Sequence, residues 1–458
     1  MNVVIALTIT GILNLFGSIF NYRKITPILS VIGLITALIF NTMYWNKNLP
    51  FFNHMMVMDN YACSLGAVCI VLGAVLIVFY NRFMGDEDHH LAEVLSIIVF
   101  ALAGSIIMVS YTNLLMLFLG IEILSISFYI LAGLKKKDLG SNEAAMKYFL
   151  MGSFSTGFLL FGIALIYGAT ASFDLAAITA FVKMNGAATN YLLICGVLMI
   201  LVGLLFKVAA APFHFWTPDV YQGAPTIITG FFATVGKIAS FGAFYRLFQL
   251  CFAPISAEWS GTIMVVAILT MFIGNITALQ QKNLKRMLAY SSIAHAGYML
   301  LALLSPAYVG GNAILFYSLA YGISSMSAFI SIHIIQIQTG SDEINGFTGL
   351  AKKNKMLSLI TAISMLSLSG IPLTAGFIGK FYLFSSAIEG GYVLLVCLAV
   401  VNSFISIYYY FKPLIEAYFK DSHTDNLIEL KRTESILLIL LSIATIVLGV
   451  LPGIIHSV

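Results

Sequence analysis

Glu122, Lys207, Lys237 and Lys380 each interrupt a long apolar run. A carboxylate and three amines on separate apolar segments can hold, pass and release protons away from bulk water. At the centre of a bilayer-spanning helix such a group costs about 2.5–3.5 kcal/mol. Recurring on separate segments, they read as a polar track through a membrane interior. Glu122 stands mid-run in LLMLFLGIEILSISFYI, and Lys207 in GLLFKVAAAPFHFW is its natural counter-charge. Burial disfavours an ammonium while a nearby carboxylate favours it. Moving the carboxylate away would therefore help the lysine release its proton. A static ion pair fixing helix packing is the other reading, although a buried pair adds little net stability. Lys237, in FFATVGKIASFGAF, has no acidic neighbour in sequence, which suits a residue that accepts and passes protons. Lys380, in LTAGFIGKFYLF, follows Pro372, where disrupted backbone and glycine admit water. Taken alone, either lysine has a plainer reading as a side chain snorkelling to an interface.

The histidines and Lys147 stay open between two roles. His214 follows Pro212, and His295 lies in AYSSIAHAGYML. Imidazole relays protons near neutral pH, but a lone histidine in an apolar helix is equally a hydrogen-bonded packing residue. Lys147, in NEAAMKYFL, is either an entry-side relay or a simple cationic anchor. His333, near a helix end, reads as structural. There is no GxGxxG or P-loop, no haem-type histidine pair and no cysteine cluster. The five cysteines, Cys63, Cys69, Cys195, Cys251 and Cys397, sit singly in apolar stretches and read as packing residues. The chain is accordingly expected to hold no metal and no redox centre of its own.

Composition dictates the elements that must position these residues. The 458 residues are 60% hydrophobic and 9% charged, against about 25% charged in soluble domains, and mean hydropathy is +0.98. The fold class is an all-α polytopic membrane protein. Spanning the hydrocarbon takes about 20 helical residues, which gives about fourteen transmembrane helices: 3–21, 27–45, 58–80, 93–109, 112–134, 144–168, 191–211, 225–248, 260–280, 286–304, 311–337, 356–385, 391–411 and 435–455. Helix 7 runs into Pro212, Pro218 and Gly223, and helix 12 contains Gly370, Pro372, Gly376 and Gly379. Both should break, because proline removes a backbone donor and clashes with the preceding turn. Spans 4–8 and 9–13 read as two inverted five-helix repeats, each with a broken fourth member. The single membrane domain, 1–458, thus divides into a three-helix part (1–92), a first repeat (93–248), a second repeat (260–411) and a last helix (435–455).

Orientation follows from Lys and Arg in short loops. Loops after odd-numbered spans hold Arg23, Lys24, Arg82, Lys135, Lys136, Lys137, Lys285 and Arg286 among others, whereas those after even-numbered spans hold only Lys47, Lys183 and Arg246. Odd loops should be cytoplasmic and both termini outside. The N-terminal run has no cationic start and no small-residue cleavage site, so it reads as a retained first span. Residues 170–190 read as an external amphipathic helix with Ser172 as N-cap and Asp174 in its first turn. Residues 412–435 read as a polar connector before the last span.

The run FKVAAAPFHFWTPDVYQGAPT, then the Lys237 helix and KRMLAYSSIAHAGY, resembles the antiporter-like proton-pumping subunits of respiratory complex I, over nearly the whole chain. That family's pattern is Glu on helix 5, Lys on broken helix 7, Lys on helix 8 and Lys or Glu on broken helix 12. These fall here on Glu122, Lys207, Lys237 and Lys380. Lys380, in place of glutamate, departs from the middle pump subunit and from the sodium/proton antiporter subunit. The end at Val458 departs from the distal pump subunit. Both features point to the N-type branch, whose pattern Lys147 and His214 also match. The resemblance implies one of several proton channels driven by quinone reduction elsewhere in the complex. NADH, FMN, iron–sulfur clusters and quinone would then belong to partner subunits, and the neighbours would be antiporter-like and small membrane subunits and a peripheral arm. It implies a bacterial inner membrane, with a plastid thylakoid second. The competing expectation is a subunit of a multisubunit cation/proton antiporter.

Overall fold

In the computed structural model, residues 2–20, 24–84, 90–185, 190–421 and 427–454 are described. Arg23, the side chain of Arg82, the last residues of the first and last expected spans, 186–189 of the expected external helix and 422–426 of the expected connector lie outside them. With no water to satisfy backbone polar groups, a chain in lipid must pair them within helices or closed barrels, and this chain does so almost wholly with helices. Among the described residues, a departure is a hairpin that the sequence reading lacks. Leu49–Phe51 (β1) pairs antiparallel with Met56–Met58 (β2), with Phe51 opposite Met56.

The chain forms two units. The first holds α1 (Asn2–Ile19), α2 (Thr26–Met43), α3 (Asn60–Met84), α4 (Leu91–Ser110), α5 (Leu114–Ala132), α6 (Leu139–Thr170), α7 (Leu175–Asn185) and α8 (Tyr191–Lys207). The chain contributes α9 (Trp216–Gly223) and α10 (Thr226–Phe231) to the second unit, then α11 (Lys237–Tyr245) to the first. Membership changes again within α12 (Ser256–Leu279). The second unit continues with α13 (Leu284–Leu301), α14 (Ala307–Thr339), α15 (Leu350–Lys353), α16 (Lys355–Ser369), α17 (Ala375–Glu389), α18 (Val393–Phe419) and α19 (Arg432–Val450).

Among the described residues, twelve helices are long and apolar enough to cross a membrane. The expected spans 7 and 12 are each split into shorter pieces, α8 with α9 and α16 with α17, at the prolines and glycines that called for breaks. Within the first unit, α6 and α8 pack backbone to backbone. A Cβ on Gly162 would lie 2.7 Å from the Gly196 carbonyl oxygen, and one on Gly196 would lie 3.0 Å from that of Gly162. Lipid supplies no hydrophobic drive between helices, so such small-residue contacts do much of the joining. In the second unit α14 is the central element, packed on α10, α16, α17 and α19.

Several local expectations are corrected. The 170–190 helix is α7, but its N-cap is Asp174, whose Oδ1 accepts from the amides of Ala176 and Ala177. Ser172 acts one step earlier, accepting from the Asp174 amide. The connector expected at 412–435 starts later, because α18 runs through Pro413 to Phe419. Lys285 and Arg286 are not loop residues but lie in the first turn of α13, and Lys285 is buried. Cys195 and Cys397 are exposed rather than packed. The helix expected at 225–248 is interrupted by π-helical turns at Phe232–Gly236 and Arg246–Cys251.

Candidate functional site

The first unit gathers Glu122, Lys207 and Lys147 around α5, α6 and α8. Glu122, Ser125 and Tyr129 share a face of α5 at helical spacing. Lys207, the last residue of α8, reaches this face, and its Nζ donates to Ser125 Oγ. Ser125 in turn donates to the Ile121 carbonyl. The Tyr148 ring of α6 lies 5.9 Å from the same amine and packs edge-on against Tyr129 at 4.9 Å. The direct Glu122–Lys207 bond expected from sequence is not the one formed. Ser125 takes the lysine, and Glu122 Oε1 is buried without a hydrogen-bond partner. Lys147 pairs with Glu143 at 2.6 Å on a half-exposed surface of α6, one residue from Tyr148.

Lys237 is 4% exposed. It opens α11, directly after the π-helical turn Phe232–Gly236. Such wide turns inside helices are rare and concentrate at functional sites. α11 packs on α3, α4 and α8 of its own unit.

The second unit holds His214, His295 and Lys380. His214 lies between the break and α9, stacked on Phe215 at 4.6 Å, with Nδ1 buried and unpartnered. His295 sits inside α13 with both ring nitrogens engaged, Nδ1 with the Tyr317 hydroxyl and Nε2 with the Tyr410 hydroxyl at 2.9 Å. Tyr410 also meets Ser291. A histidine bonded on both sides to hydroxyls can take a proton on one nitrogen and release one from the other. Lys380 donates to the Ser369 carbonyl at 2.7 Å and to Ser403 Oγ at 3.0 Å, and its Nζ lies 5.2 Å from the Tyr298 ring. Tyr298 also lies edge-on to His295 at 5.9 Å, so one aromatic ring touches both groups. Its hydroxyl accepts from Asn275 at 3.1 Å, and Asn275 bonds Asn402 and Tyr409. A cavity of about 380 Å³ lies beside Lys380, walled by Phe377, Phe381, Phe384 and Phe404.

Sequence reading missed Ser125, Tyr148 and the tyrosines around His295. The i, i+3 relation of Glu122 and Ser125 could have flagged the serine. Tyr317 and Tyr410 come from helices distant in sequence and carry no local signal. Among the described residues, no group of three or more His, Cys, Asp or Glu is placed to hold a metal ion.

Buried ionisable side chains at helix breaks, within an almost wholly helical membrane fold, define a polytopic membrane protein built to handle charge in its interior. The chain belongs to the NADH:quinone oxidoreductase/Mrp antiporter membrane family, whose model matches residues 111–406. It is similar to NADH-quinone oxidoreductase subunit N of Trichlorobacter lovleyi, 41% identical over 93% of this chain and 88% of that one. The subunit N of Cytophaga hutchinsonii is 37% identical over 100% of this chain and 99% of its own. Among solved structures, a chain of respiratory complex I from Thermus thermophilus superposes with a TM-score of 0.84 at 31% identity, covering 98% of this chain and 97% of that chain.

Proposed function

We propose that this chain is a proton-translocating membrane subunit of a NADH-quinone oxidoreductase, moving protons along a buried axis in the order Glu122, Lys207, Lys237, Lys380. The observation that carries the reading is the placement of the three lysines. Lys207 ends the helix before one break, Lys237 follows a π-helical turn, and Lys380 reaches back across a second break. Irregular backbone at membrane depth is tolerated where it is buried in protein or lines a water-filled cavity, and discontinuous helices near the midplane are how many transporters build their sites. Lys147 lies on the entry side of this axis. His214 serves the first break, and His295, hydroxyl-bonded on both sides, is a relay residue of the second unit.

On this reading the two split helices complete a set of fourteen crossings, arranged as two inverted five-helix repeats. The distribution of Lys and Arg supports termini on the outer side of a bacterial inner membrane. NADH, FMN, the iron–sulfur clusters and quinone are held by partner subunits of the complex, which also supply the redox energy. The family includes antiporter subunits, and Lys380 in place of glutamate favours the oxidoreductase branch.

The test is an assembled complex carrying Lys207→Ala, reconstituted in vesicles. NADH-driven proton translocation should fall severely with the complex still assembled. Full pumping by that complex overturns the reading. Co-purification of the chain with flavin and iron–sulfur subunits separates it from an antiporter.

A further inference from the structure

α9 is the piece of broken helix 7 that follows the break. Eight residues are too few to hold a helix in place by themselves, and the chain before it passes through Ala209, with φ at 61°, and Pro212. Its position is set instead by α13, at three levels. Lys285 Nζ donates at 2.8 Å to the carbonyl of Ala224, the residue capping the α9 C-terminus. Arg286 Nη1 donates to Asp219 Oδ1 at 2.7 Å and to Gln222 Oε1 at 3.0 Å. Further along, the Tyr221 hydroxyl lies 3.5 Å from Ser292 Oγ.

The chemistry of the first two contacts is specific. A helix C-terminus leaves its last carbonyls without helical partners and carries partial negative charge that a cation complements. The plain alternative is a pair of basic residues anchoring a helix end at the membrane surface. Such residues send their charge outward to water, whereas Lys285 is 3% exposed and aims its amine at the α9 carbonyl. Arg286 holds two α9 side chains at once, both bonds leaving its Nη1. The same helix α13 carries His295 ten residues beyond Lys285, about 15 Å along the axis.

We propose that Lys285 and Arg286 are positioning residues for proton transfer: they lock α9, with His214 just before its first turn, in fixed register with the helix that bears His295. The inference rests on the proton-translocation reading above. Neither residue carries the proton. They keep the broken helix in one geometry while protons pass, and a displacement of about 1 Å at such a site can slow a reaction by about a hundredfold.

The experiment uses the whole complex in vesicles, with NADH-driven proton translocation expressed per assembled complex so that expression losses cancel. Lys285→Met and Arg286→Ala should each lower that rate by about tenfold or more. Arg286→Lys should retain an intermediate rate, and the exchange Asp219→Arg with Arg286→Asp should recover part of the loss of Arg286→Ala. Should a truncation fail to assemble, Lys285→Gln and Gln222→Ala provide the same comparison in milder form. Wild-type rates in the Lys285 and Arg286 variants, beside a Lys207→Ala control that has lost pumping, overturn this inference alone. A Lys207→Ala control that pumps fully overturns the underlying reading, and this inference with it.

Discussion

Lys380 donates a hydrogen bond at 2.7 Å to the main-chain carbonyl of Ser369, the last residue of the helix segment preceding its own. The break in helix 12 frees that carbonyl from its helical partner, and the lysine supplies the missing donor from six residues inside the next segment. Cation and broken backbone thereby satisfy each other.

This relation makes Gly370 the sensitive position. Its φ is +86°, and a Cβ there would lie 2.9 Å from Lys380 Cδ and 3.1 Å from its Nζ. Gly370→Ala should destabilise the fold by about 1–3 kcal/mol from the left-handed backbone alone and displace the amine as well. Ser369→Ala keeps the main-chain acceptor and should pump nearly as wild type. Proton translocation and thermal unfolding of the two variants, compared side by side, check this. Equal behaviour would count against the Lys380–Ser369 contact.

Ser125 stands where a direct ion pair was expected. Its hydroxyl accepts from Lys207 one turn away from Glu122, and a hydrogen bond to a charged group contributes about 1.5–3 kcal/mol. Ser125→Ala should therefore slow pumping by about tenfold or more, with Ser125→Thr close to wild type. Glu122 lies one turn from Ser125 on the same face of α5, with Oε1 buried and unpartnered, so pumping should decline from wild type to Glu122→Asp to Glu122→Gln. Initial rates of proton uptake into vesicles test both series, and full activity in Glu122→Gln would place the switch elsewhere.

Arg246 offers a control for stability without a role on the proposed axis. It is 4% exposed, donates to Asp59 Oδ1 at 2.8 Å and to the Val109 carbonyl at 3.1 Å, and so joins the starts and ends of three helices of the first unit. Arg246 is buried but Asp59 is partly exposed, so removing the carboxylate should cost less than the ~3–5 kcal/mol of a fully buried ion pair. Asp59→Asn should lower the thermal midpoint and the yield of complex, while the complex that does assemble pumps at an undiminished rate per molecule. A rate that falls in parallel with an unchanged midpoint would reverse this assignment.

The charges on the proposed axis were legible in the sequence because a lysine or glutamate in an apolar run is costly and stands out. The two helix breaks were legible for a similar reason, since Pro212, Pro372 and Gly370 restrict or release the backbone locally. What escaped notice depends on pairing at a distance. Ser125, Tyr298 and Tyr410 are ordinary residues for apolar helices, and only tertiary packing makes them the partners of Lys207, Lys380 and His295. Lys285 and Arg286 were read as loop cations because position in a sequence says which end of a helix a charge is near, not which way it turns. The π-helical turns have no compositional mark: FATVG would be read as ordinary helix anywhere.

The turn at Phe232–Gly236 also bears on how the amine of Lys237 is aimed. An α-helix advances about 100° with every residue, and a π-helical turn accommodates one residue more than a regular turn does. Lys237 comes directly after it, so its bearing around the helix axis is offset by about one residue's rotation from that of an unbroken helix started at Thr226. Rewinding those five residues to a regular pitch would swing the lysine by roughly a quarter of a circle while leaving the rest of the helix as regular as before. The slack residue thus works as an angular setting, and the compass direction of the charge depends on winding as well as on the groups around it.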